Sequence, residues 1–385
     1  MEESPQSPAG QGHLRQLVAE GVSPWLDGIH HGLLASGALA HLITDLGVRG
    51  ATSNPSVLAA AFAHSFAYRE QLVRLARHQV SVDSALWATS VQDLRLACDQ
   101  FREVFDSTHG YDGLVSMDLD PRLAHDAEQT VIEAVELTHA VNRANALVKI
   151  PATPAGLVAL RECVGRGIGV HVSEIYSVSR YSEVVNAYFD GLELALAADR
   201  ELGSIASVAS LPVRRLDQEI DALLSELGGE AHQSLRGKAA LAAAQLLYQV
   251  YEERLGGDRW RYLRAAGARP QRLMWTDTAA AQPGGHSGYV ETLISWGTVN
   301  ALPLPALEEA AAHSQLQGDT LMGQQVAAQL VLDALARLGI SYDAVVRKLE
   351  ADSVARLIDS WALLRTVVAE QLHLVSVAGW PQLVV

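Results

Sequence analysis

Apolar positions in this chain fall into short runs rich in Val, Ile and Leu, separated by longer amphipathic stretches. Short apolar runs bounded by turn residues are typical of strands that are buried on both faces of a parallel sheet. The runs that meet this description are Pro24–Ile29, Val48–Ser53, Leu114–Leu119, Ala146–Ile150, Val170–Ile175, Ile205–Leu211, Leu273–Asp277 and Val299–Leu302.

The stretches between these runs carry apolar residues at helical spacing. The interval between the second and third runs spans about 60 residues, too many for a structureless loop, so we expect additional helices there. The other predicted helices are Pro121–Asn142, Ala155–Arg166, Val178–Leu196, Val213–Leu227, Lys238–Leu255 and Ser287–Ser295.

Alternating strands and helices predict an α/β fold. A single closed (β/α)8 barrel of the TIM type with additional helices is favoured over a doubly wound open sheet. The chain has no linker rich in Pro, Gly or Ser, so we expect one domain over residues 1–385. Further helices over 320–376 should pack on the barrel, and the polar residues 1–12 should be disordered.

The composition narrows the classes of function. Apolar residues make up 49% of the chain and charged residues 19%, which excludes a disordered protein. The net charge of −15 argues against nucleic acid or an anionic membrane as partner. The two cysteines provide no disulfide framework and the N-terminus has no signal-peptide pattern, so we expect a cytoplasmic protein. No apolar run reaches the roughly 18 residues of a membrane-spanning helix.

One cation, Lys149, interrupts the apolar run 146–150. A buried ammonium is costly, so such a lysine either loses its proton or acquires a partner. The neutral amine is a nucleophile that forms a Schiff base with a carbonyl, whereas the alternative is a strand-end lysine in an ion pair or reaching solvent. The next residues favour the first interpretation. Thr153 can cap a helix that begins at Pro154, which puts Lys149 near the carboxyl end of its strand, where barrels hold their active sites.

Polar side chains also end several other strands. Taken singly, each is equally typical of a cap or a turn. Together they would surround the lysine with carboxylates and hydroxyls, as cleavage of a C–C bond through an imine requires. The lysine binds the ketone, one carboxylate takes the proton of the hydroxyl beside the cleaved bond, and a second acid moves protons to the carbinolamine. These residues are Asp27, Thr52, Ser53, Asn54, Asp118, His171, Ser173, Ser210, Arg214 and Arg215.

Metal and nucleotide motifs are weak. The cluster of Asp118, Asp120, His125 and Asp126 is better explained by capping of the following helix than by a metal site. The glycines of 165–169 lack the spacing of a dinucleotide-binding loop and are typical of a helix end. The sequence therefore predicts neither a metal nor a cofactor.

Two motifs carry a specific resemblance to a known family. They are Gly-Val-X-Gly-X-Thr-X-Asn-Pro at 47–55 and Val-Lys-Ile-Pro-Ala-Thr at 148–153. With similar segments along nearly the whole chain, they identify it as a member of the transaldolase family, of the longer type found in actinomycetes. The resemblance implies a barrel enzyme that binds a ketose or another small carbonyl compound without a cofactor.

Residue roles follow from the resemblance one by one. It implies that Lys149 is the Schiff-base lysine and that Asp27 is the acid/base at the cleaved bond. It further implies that Thr52 and Asn54 hold donor hydroxyls. Ser210 matches a substrate-binding serine, and Arg215 matches a phosphate-binding arginine.

The third and fifth strands depart from the family pattern. Asp118 stands where the family has glutamate, and it keeps an acid that is one methylene shorter. The family's Asn-Val-Thr is replaced by His171, Val172 and Ser173, followed by Glu174 in place of leucine. Ser173 keeps a hydroxyl for the catalytic water, so we expect the proton relay to survive. His171 is bulkier than asparagine, and we expect it to reshape the substrate-binding site.

The seventh strand departs most. The family reads Trp-Ala-Ser-Thr-Gly-Thr-Lys-Asn-Pro, and alignment with 275–283 replaces a serine and a cation at the phosphate by Asp277 and Ala281. Losing a charge-assisted contact costs about 1.5–3 kcal/mol. A carboxylate roughly 4 Å from a phosphate adds about 4 kcal/mol of repulsion at an effective dielectric of 20. We therefore expect a weakened phosphate site.

Three interpretations remain open. The first is a transaldolase-like Schiff-base enzyme with an altered reaction partner, in specialised metabolism. The second is an ordinary pentose-phosphate transaldolase that moves dihydroxyacetone between sugar phosphates. The third is a barrel that has lost catalysis and binds a partner. Lys149 and Asp27 argue against the third, and Asp277 and Ala281 argue against the second. The sequence does not distinguish a monomer from a homodimer.

Overall fold

The computed structural model describes residues 12–64, 66–228, 233–279, 288–314, 316 and 318–377. Its centre is a closed barrel of parallel strands in chain order, with the last strand paired to the first. The predicted (β/α)8 barrel is confirmed, and a strand lies at each predicted run. The strands are β1 Val22–Asp27, β2 Gly50–Thr52, β3 Leu114–Asp118, β4 Ala146–Pro151, β5 Val170–Ser173, β6 Ser207–Pro212, β7 Arg272–Thr276 and β8 Thr298–Pro303.

Helices surround the barrel, and the long interval between β2 and β3 holds several of them, as predicted. The described helices are α1 His13–Ala19, α2 His31–Ala35, α3 Ala38–Thr44, α4 Pro55–His64, α5 Arg69–Arg77, α6 Val82–Gln100, α7 Arg102–Ser107, α8 Ala127–Val141, α9 Pro154–Gly165, α10 Val178–Ala197, α11 Val213–Leu227, α12 Ala239–Gly256, α13 Asp258–Ala265, α14 Leu304–His313, α15 Gln325–Arg337 and α16 Tyr342–Val377.

The predicted helix Pro121–Asn142 is divided in the structure. Asp120 caps only a 3-10 turn, Pro121–Leu123, by accepting from the amide of Arg122. The α-helix begins later, because Asp126 has an extended backbone and forms a second cap. An extended residue cannot continue a helix, so the two segments stay separate.

The predicted helix Ser287–Ser295 is wrong over the described residues 288–295. Only a 3-10 turn, Gly288–Val290, forms there. The amide of Thr320 donates to the carbonyl of Ile294 at 2.8 Å, and its hydroxyl donates to the carbonyl of Thr292 at 2.8 Å and accepts from the amide of Ile294 at 2.9 Å. These bonds occupy the backbone groups that a helix would use.

The middle of the barrel interior is apolar, and its carboxyl end is polar. Residues two apart on a strand share a face. Trp25 and Leu147 belong to a small apolar cluster formed by strand residues. Two positions further along the same strands are Asp27 and Lys149, which therefore face the interior near the barrel mouth. This alternation is what brings the charged residues of different strands together.

The C-terminal helices predicted over 320–376 are present as α15 and α16. Leu364, Val368 and Leu372 of α16 belong to an apolar core shared with α4, α5 and α6, apart from the main core around the barrel. Ser353 and Arg356, about two to three turns nearer the start of α16 than Leu364, lie at the barrel mouth. The C-terminal extension thus contributes to the site as well as to packing.

The helices within the described ranges include none with both the length and the apolarity needed to cross a bilayer. The predicted disorder of residues 1–12 falls outside the described residues except at Gly12, whose carbonyl accepts from the amide of Gln16. Ala281, predicted to remove a cation from the phosphate site, also lies outside the described residues.

Candidate active site

Lys149 extends from β4 into the barrel mouth and is paired there. Its Nζ lies 3.2 Å from Oδ1 of Asp118 and donates to the carbonyl of Ser53 at 3.3 Å. Burial acts to lower the pKa of Lys149, but the negative charges of Asp118 and Asp27 outweigh it, and the pKa lies above its ordinary value. A buried lysine is expected either to lose its proton or to acquire a partner. In the structure Lys149 has acquired a partner, and without substrate it is an ammonium.

Asp118 ends β3 beside Lys149 in the strand register and is fixed by Ser53. Its Oδ2 accepts from the Ser53 hydroxyl at 2.6 Å, and its amide donates to the same hydroxyl oxygen at 2.8 Å. A lysine must lose its proton before it attacks a carbonyl, and Asp118 is positioned to receive that proton.

Asp27 ends β1 and lines the same cavity as Lys149. Burial raises the pKa of Asp27 to about 6, while the charge of Lys149 opposes the shift. Asn54 donates to its Oδ1 at 3.5 Å and accepts from the amide of Ser56 at 3.0 Å, so Asn54 also caps α4. Asp27 is mostly a carboxylate at pH 7 and can still take up a proton during a reaction cycle.

A cavity of about 320 Å³ opens at the carboxyl ends of the strands, within the size range of small-molecule sites. Asp118 and His171 do not line the cavity. Asp118 contacts the lining residue Lys149, and His171 contacts the lining residue Ser210. The predicted site residues that line the cavity are Asp27, Thr52, Asn54, Lys149, Ser173, Ser210, Arg214, Arg215 and Asp277.

His171 is fully buried and contacts other side chains on both ring nitrogens. Nδ1 lies 2.9 Å from the Ser116 hydroxyl oxygen, and Nε2 lies 2.9 Å from the Ser210 hydroxyl oxygen. Ser116 in turn donates to Oγ1 of Thr52 at 2.7 Å. Predicted as a substrate-binding residue, the imidazole reaches the cavity only through the hydroxyls of Thr52 and Ser210.

Asp277 does not face the cavity as an unpaired carboxylate, and that premise of the weakened phosphate site is wrong. Its Oδ1 accepts from Nε and Nη2 of Arg214 at 2.8 and 2.5 Å. This ion pair largely cancels the charge, so the repulsion of about 4 kcal/mol expected for a phosphate does not apply. The two residues are 63 positions apart, and nothing local in the sequence indicates their contact.

Two carboxylates at strand ends have unusual backbone conformations. Glu174 directly follows β5 with a φ of 61°, and Asp277 directly follows β7 with a φ of 54°. The left-handed region is uncommon for residues other than glycine; it occurs at helix ends and turns, and also where the surrounding structure holds a side chain at a functional site. Both residues line the cavity, and the Tyr176 hydroxyl donates to Oε2 of Glu174 at 2.7 Å.

Arg356 of α16 is a cavity residue that no sequence motif indicated. It lines the cavity together with Arg215, and among the described residues neither guanidinium has a carboxylate partner. Burial and the charge of Glu174 raise the pKa of Tyr176, while Arg215 and Arg356 oppose the shift, as expected if all four lie close together. The only sequence signal was a helical spacing shared with Ser353, which is common to any helix face. Two unpaired cations in one cavity indicate a site for an anion.

Comparison with known proteins agrees with this geometry. The family model described as transaldolase/fructose-6-phosphate aldolase matches residues 24–367. The chain belongs to the transaldolase family. Transaldolase 1 of Streptomyces avermitilis is 46% identical over 362 residues, which cover 94% of this chain and 96% of that protein. The transaldolase of Acidothermus cellulolyticus is also 46% identical, and that of Thermobifida fusca is 44% identical, each over at least 93% of this chain and 97% of the relative.

Transaldolase-family membership makes this chain an enzyme of the Schiff-base lysine type, as predicted from Lys149. Within the described ranges, no group of His, Cys, Asp and Glu side chains has the arrangement of a metal site. The cavity lining provides an amine, carboxylates, hydroxyls and guanidiniums.

Proposed function

We propose that this protein moves a dihydroxyacetone unit between sugar phosphates through an imine on Lys149. The observation that carries the proposal is one cavity with two chemically different groups of residues. A lysine with two carboxylates, Asp118 and Asp27, can make and break a C–C bond. Two guanidiniums without described carboxylate partners, Arg215 and Arg356, can hold a phosphate in the same cavity.

The proton arrangement supports a definite order of steps. The Lys149 ammonium first passes a proton to Asp118, and the amine then adds to the ketose carbonyl to give a carbinolamine. Asp118 returns its proton to the carbinolamine hydroxyl, which leaves as water, and the resulting iminium draws electrons from the C–C bond one carbon away. Asp27, ionised at pH 7, takes the proton of the hydroxyl beside that bond as the aldehyde leaves. The remaining enamine then adds to the acceptor aldehyde by the reverse sequence.

The proposal is tested by trapping the imine with borohydride in the presence of fructose 6-phosphate. We expect added mass on the peptide that contains Lys149, and none in Lys149→Ala. The exposed Lys238 provides the matched control, since Lys238→Ala should trap and turn over like the natural protein. Turnover by Lys149→Ala, or labelling at another lysine, would contradict the proposal.

The second candidate function is a Schiff-base enzyme of specialised metabolism that acts on a different reaction partner. Glu174 supports it, because a carboxylate lines the cavity where the resemblance leads us to expect leucine. The same trapping assay distinguishes the two candidates when an unphosphorylated or amine-bearing ketose competes with fructose 6-phosphate. Preference for fructose 6-phosphate supports the first candidate. Preference for its competitor, lost in Glu174→Leu, supports the second.

A further inference from the structure

Four side chains form a hydrogen-bonded chain across the barrel interior. Oγ1 of Thr52 lies 2.7 Å from Oγ of Ser116, which lies 2.9 Å from Nδ1 of His171, and Nε2 of His171 lies 2.9 Å from Oγ of Ser210. The chain runs from β2 through β3 to β5 and β6, past the strand that carries Lys149. Its two ends line the cavity, and its two middle members are fully buried.

The number of available protons means that the hydrogen bonds of this four-residue chain can all run in only one direction at a time. Each hydroxyl has one proton to donate, and a neutral imidazole has one N–H. Burial and the charge of Lys149 lower the pKa of His171 well below its ordinary value, so the ring is neutral. The ring nitrogen that carries the proton therefore decides what both neighbouring hydroxyls do.

The contacts of Thr52 indicate the direction. Its hydroxyl points to the carbonyl of Ser53 at 3.4 Å, and its oxygen accepts from Ser116. Ser116 has then used its proton and must accept from Nδ1–H of His171. Nε2 is left with a lone pair, which accepts the hydroxyl proton of Ser210. The alternative contact of Ser210, with the Val172 carbonyl at 3.4 Å, is longer than its 2.9 Å contact with Nε2.

We propose that His171 is a positioning residue, which as the Nδ1–H tautomer turns the Ser210 proton inward and makes Ser210 a hydrogen-bond acceptor for a substrate hydroxyl. The identity of the substrate as a hydroxylated ketose rests on the proposed function. The direction of the chain then adds a requirement: the group facing Ser210 must be a hydroxyl or another donor. A carbonyl oxygen there would find no proton to accept.

The tautomer can be measured without any activity. In ¹⁵N-histidine-labelled protein, the His171 signals are those that disappear in His171→Asn and do not titrate between about pH 6 and 8. We expect a protonated Nδ1 and an unprotonated Nε2. A proton on Nε2 overturns the inference. If His171→Asn does not fold, Ser116→Ala identifies the signals, because it removes the acceptor of Nδ1 and should shift them.

Kinetics test the consequence for the substrate. Ser116 lies outside the cavity lining, yet Ser116→Ala should raise KM for fructose 6-phosphate about tenfold, with a smaller change in kcat. The reason is that Nδ1–H of His171 loses its acceptor, so the proton can move to Nε2. In a Ser210→Ala background, the same change should have no further effect. An effect that persists there would act through Thr52 and overturns the inference. Ser207→Ala is the control, because Ser207 is a buried serine on the strand of Ser210 but outside the cavity lining. Its hydroxyl donates to the Val170 carbonyl and accepts from the Gln271 side-chain amide.

Failure of this inference and failure of the proposed function give different results. If borohydride traps no ketose at all, the proposed function is wrong, and the ¹⁵N measurement still decides the tautomer. If trapping proceeds normally and Nε2 carries the proton, the proposed function stands and the role of His171 is wrong.

Discussion

At the scale of single residues, the site depends on how charge is shared among Lys149, Asp118 and Asp27. Two carboxylates around one ammonium keep the lysine protonated, while burial raises the pKa of one of them, Asp27, to about 6. A protonated lysine is stable but not nucleophilic, so turnover requires internal proton transfer. The arrangement that prepares the site for catalysis also places a poorly solvated acid in the fold.

Replacing Asp27 by Asn should therefore stabilise the protein while it removes activity. The pKa of about 6 is above that of the unfolded chain, so the contribution of Asp27 to stability is present below about pH 4 and is lost as the pH rises through 6. At 1.36 kcal/mol per pKa unit, Asp27→Asn should gain at most about 3 kcal/mol at pH 7.5 and about half of this at pH 5. Turnover should fall about 10²–10⁴-fold.

Urea denaturation at the two pH values, with steady-state rates, checks this expectation. The exposed Asp359 provides a control, since Asp359→Asn should change the free energy of unfolding by less than about 0.5 kcal/mol. Loss of stability at pH 7.5 in Asp27→Asn would mean that the carboxylate is favourable where it lies.

At the scale of elements, α16 both packs in an apolar core and contributes side chains to the cavity. Leu364 and Val368 anchor it in an apolar core with α4–α6, and an earlier part carries Ser353 and Arg356 to the cavity. A helix is stiff over this distance, so the anchored half fixes the position of the guanidinium in the other half. Strands β1, β3 and β4 provide the amine and the two acids, and this added helix provides a cation.

We expect Arg356→Gln to separate phosphate binding from imine formation. Losing a charge-assisted hydrogen bond costs about 1.5–3 kcal/mol, which corresponds to a rise in KM for fructose 6-phosphate of about 10–100-fold. Trapping of unphosphorylated dihydroxyacetone should be unchanged. Arg347→Gln, an exposed position on the same helix, should alter neither measurement. Equal losses for both substrates would assign Arg356 to the shape of the cavity rather than to phosphate.

At the scale of the whole molecule, the two ends of the barrel differ in what their buried charges do. At the amino end, Arg272 bonds to Asp112 at 2.9 Å and to Ser23 at 2.6 Å, and it lies 4.1 Å from the centre of the Tyr111 ring. The Arg272 and Asp112 side chains are both buried, so their charges are paired with each other away from solvent. In (β/α)8 barrels this end contributes to stability and the opposite end to chemistry.

Asp112→Asn should therefore destabilise the fold without changing the chemistry. It leaves the Arg272 guanidinium buried without its counter-ion, at a cost of about 3–5 kcal/mol, and kcat per folded molecule should stay the same. Asp106→Asn breaks the exposed Arg102–Asp106 pair and should cost less than about 1 kcal/mol. Thermal unfolding with active-site titration checks both. A fall in kcat of Asp112→Asn at full folding would show coupling between the two ends.

The sequence by itself determined the order of strands and most helices, because hydrophobic periodicity and caps such as Thr153 before α9 are local properties. It also singled out Lys149 and Asp27, since a charge in an apolar run or at a strand end is visible in one dimension. Only the tertiary structure decided that Lys149 stays protonated, that Asp277 is neutralised by Arg214, and that α16 brings a cation to the cavity. The physical reason is that the energy of a charge depends on distances through space, and closing the barrel sets those distances between residues far apart in the chain.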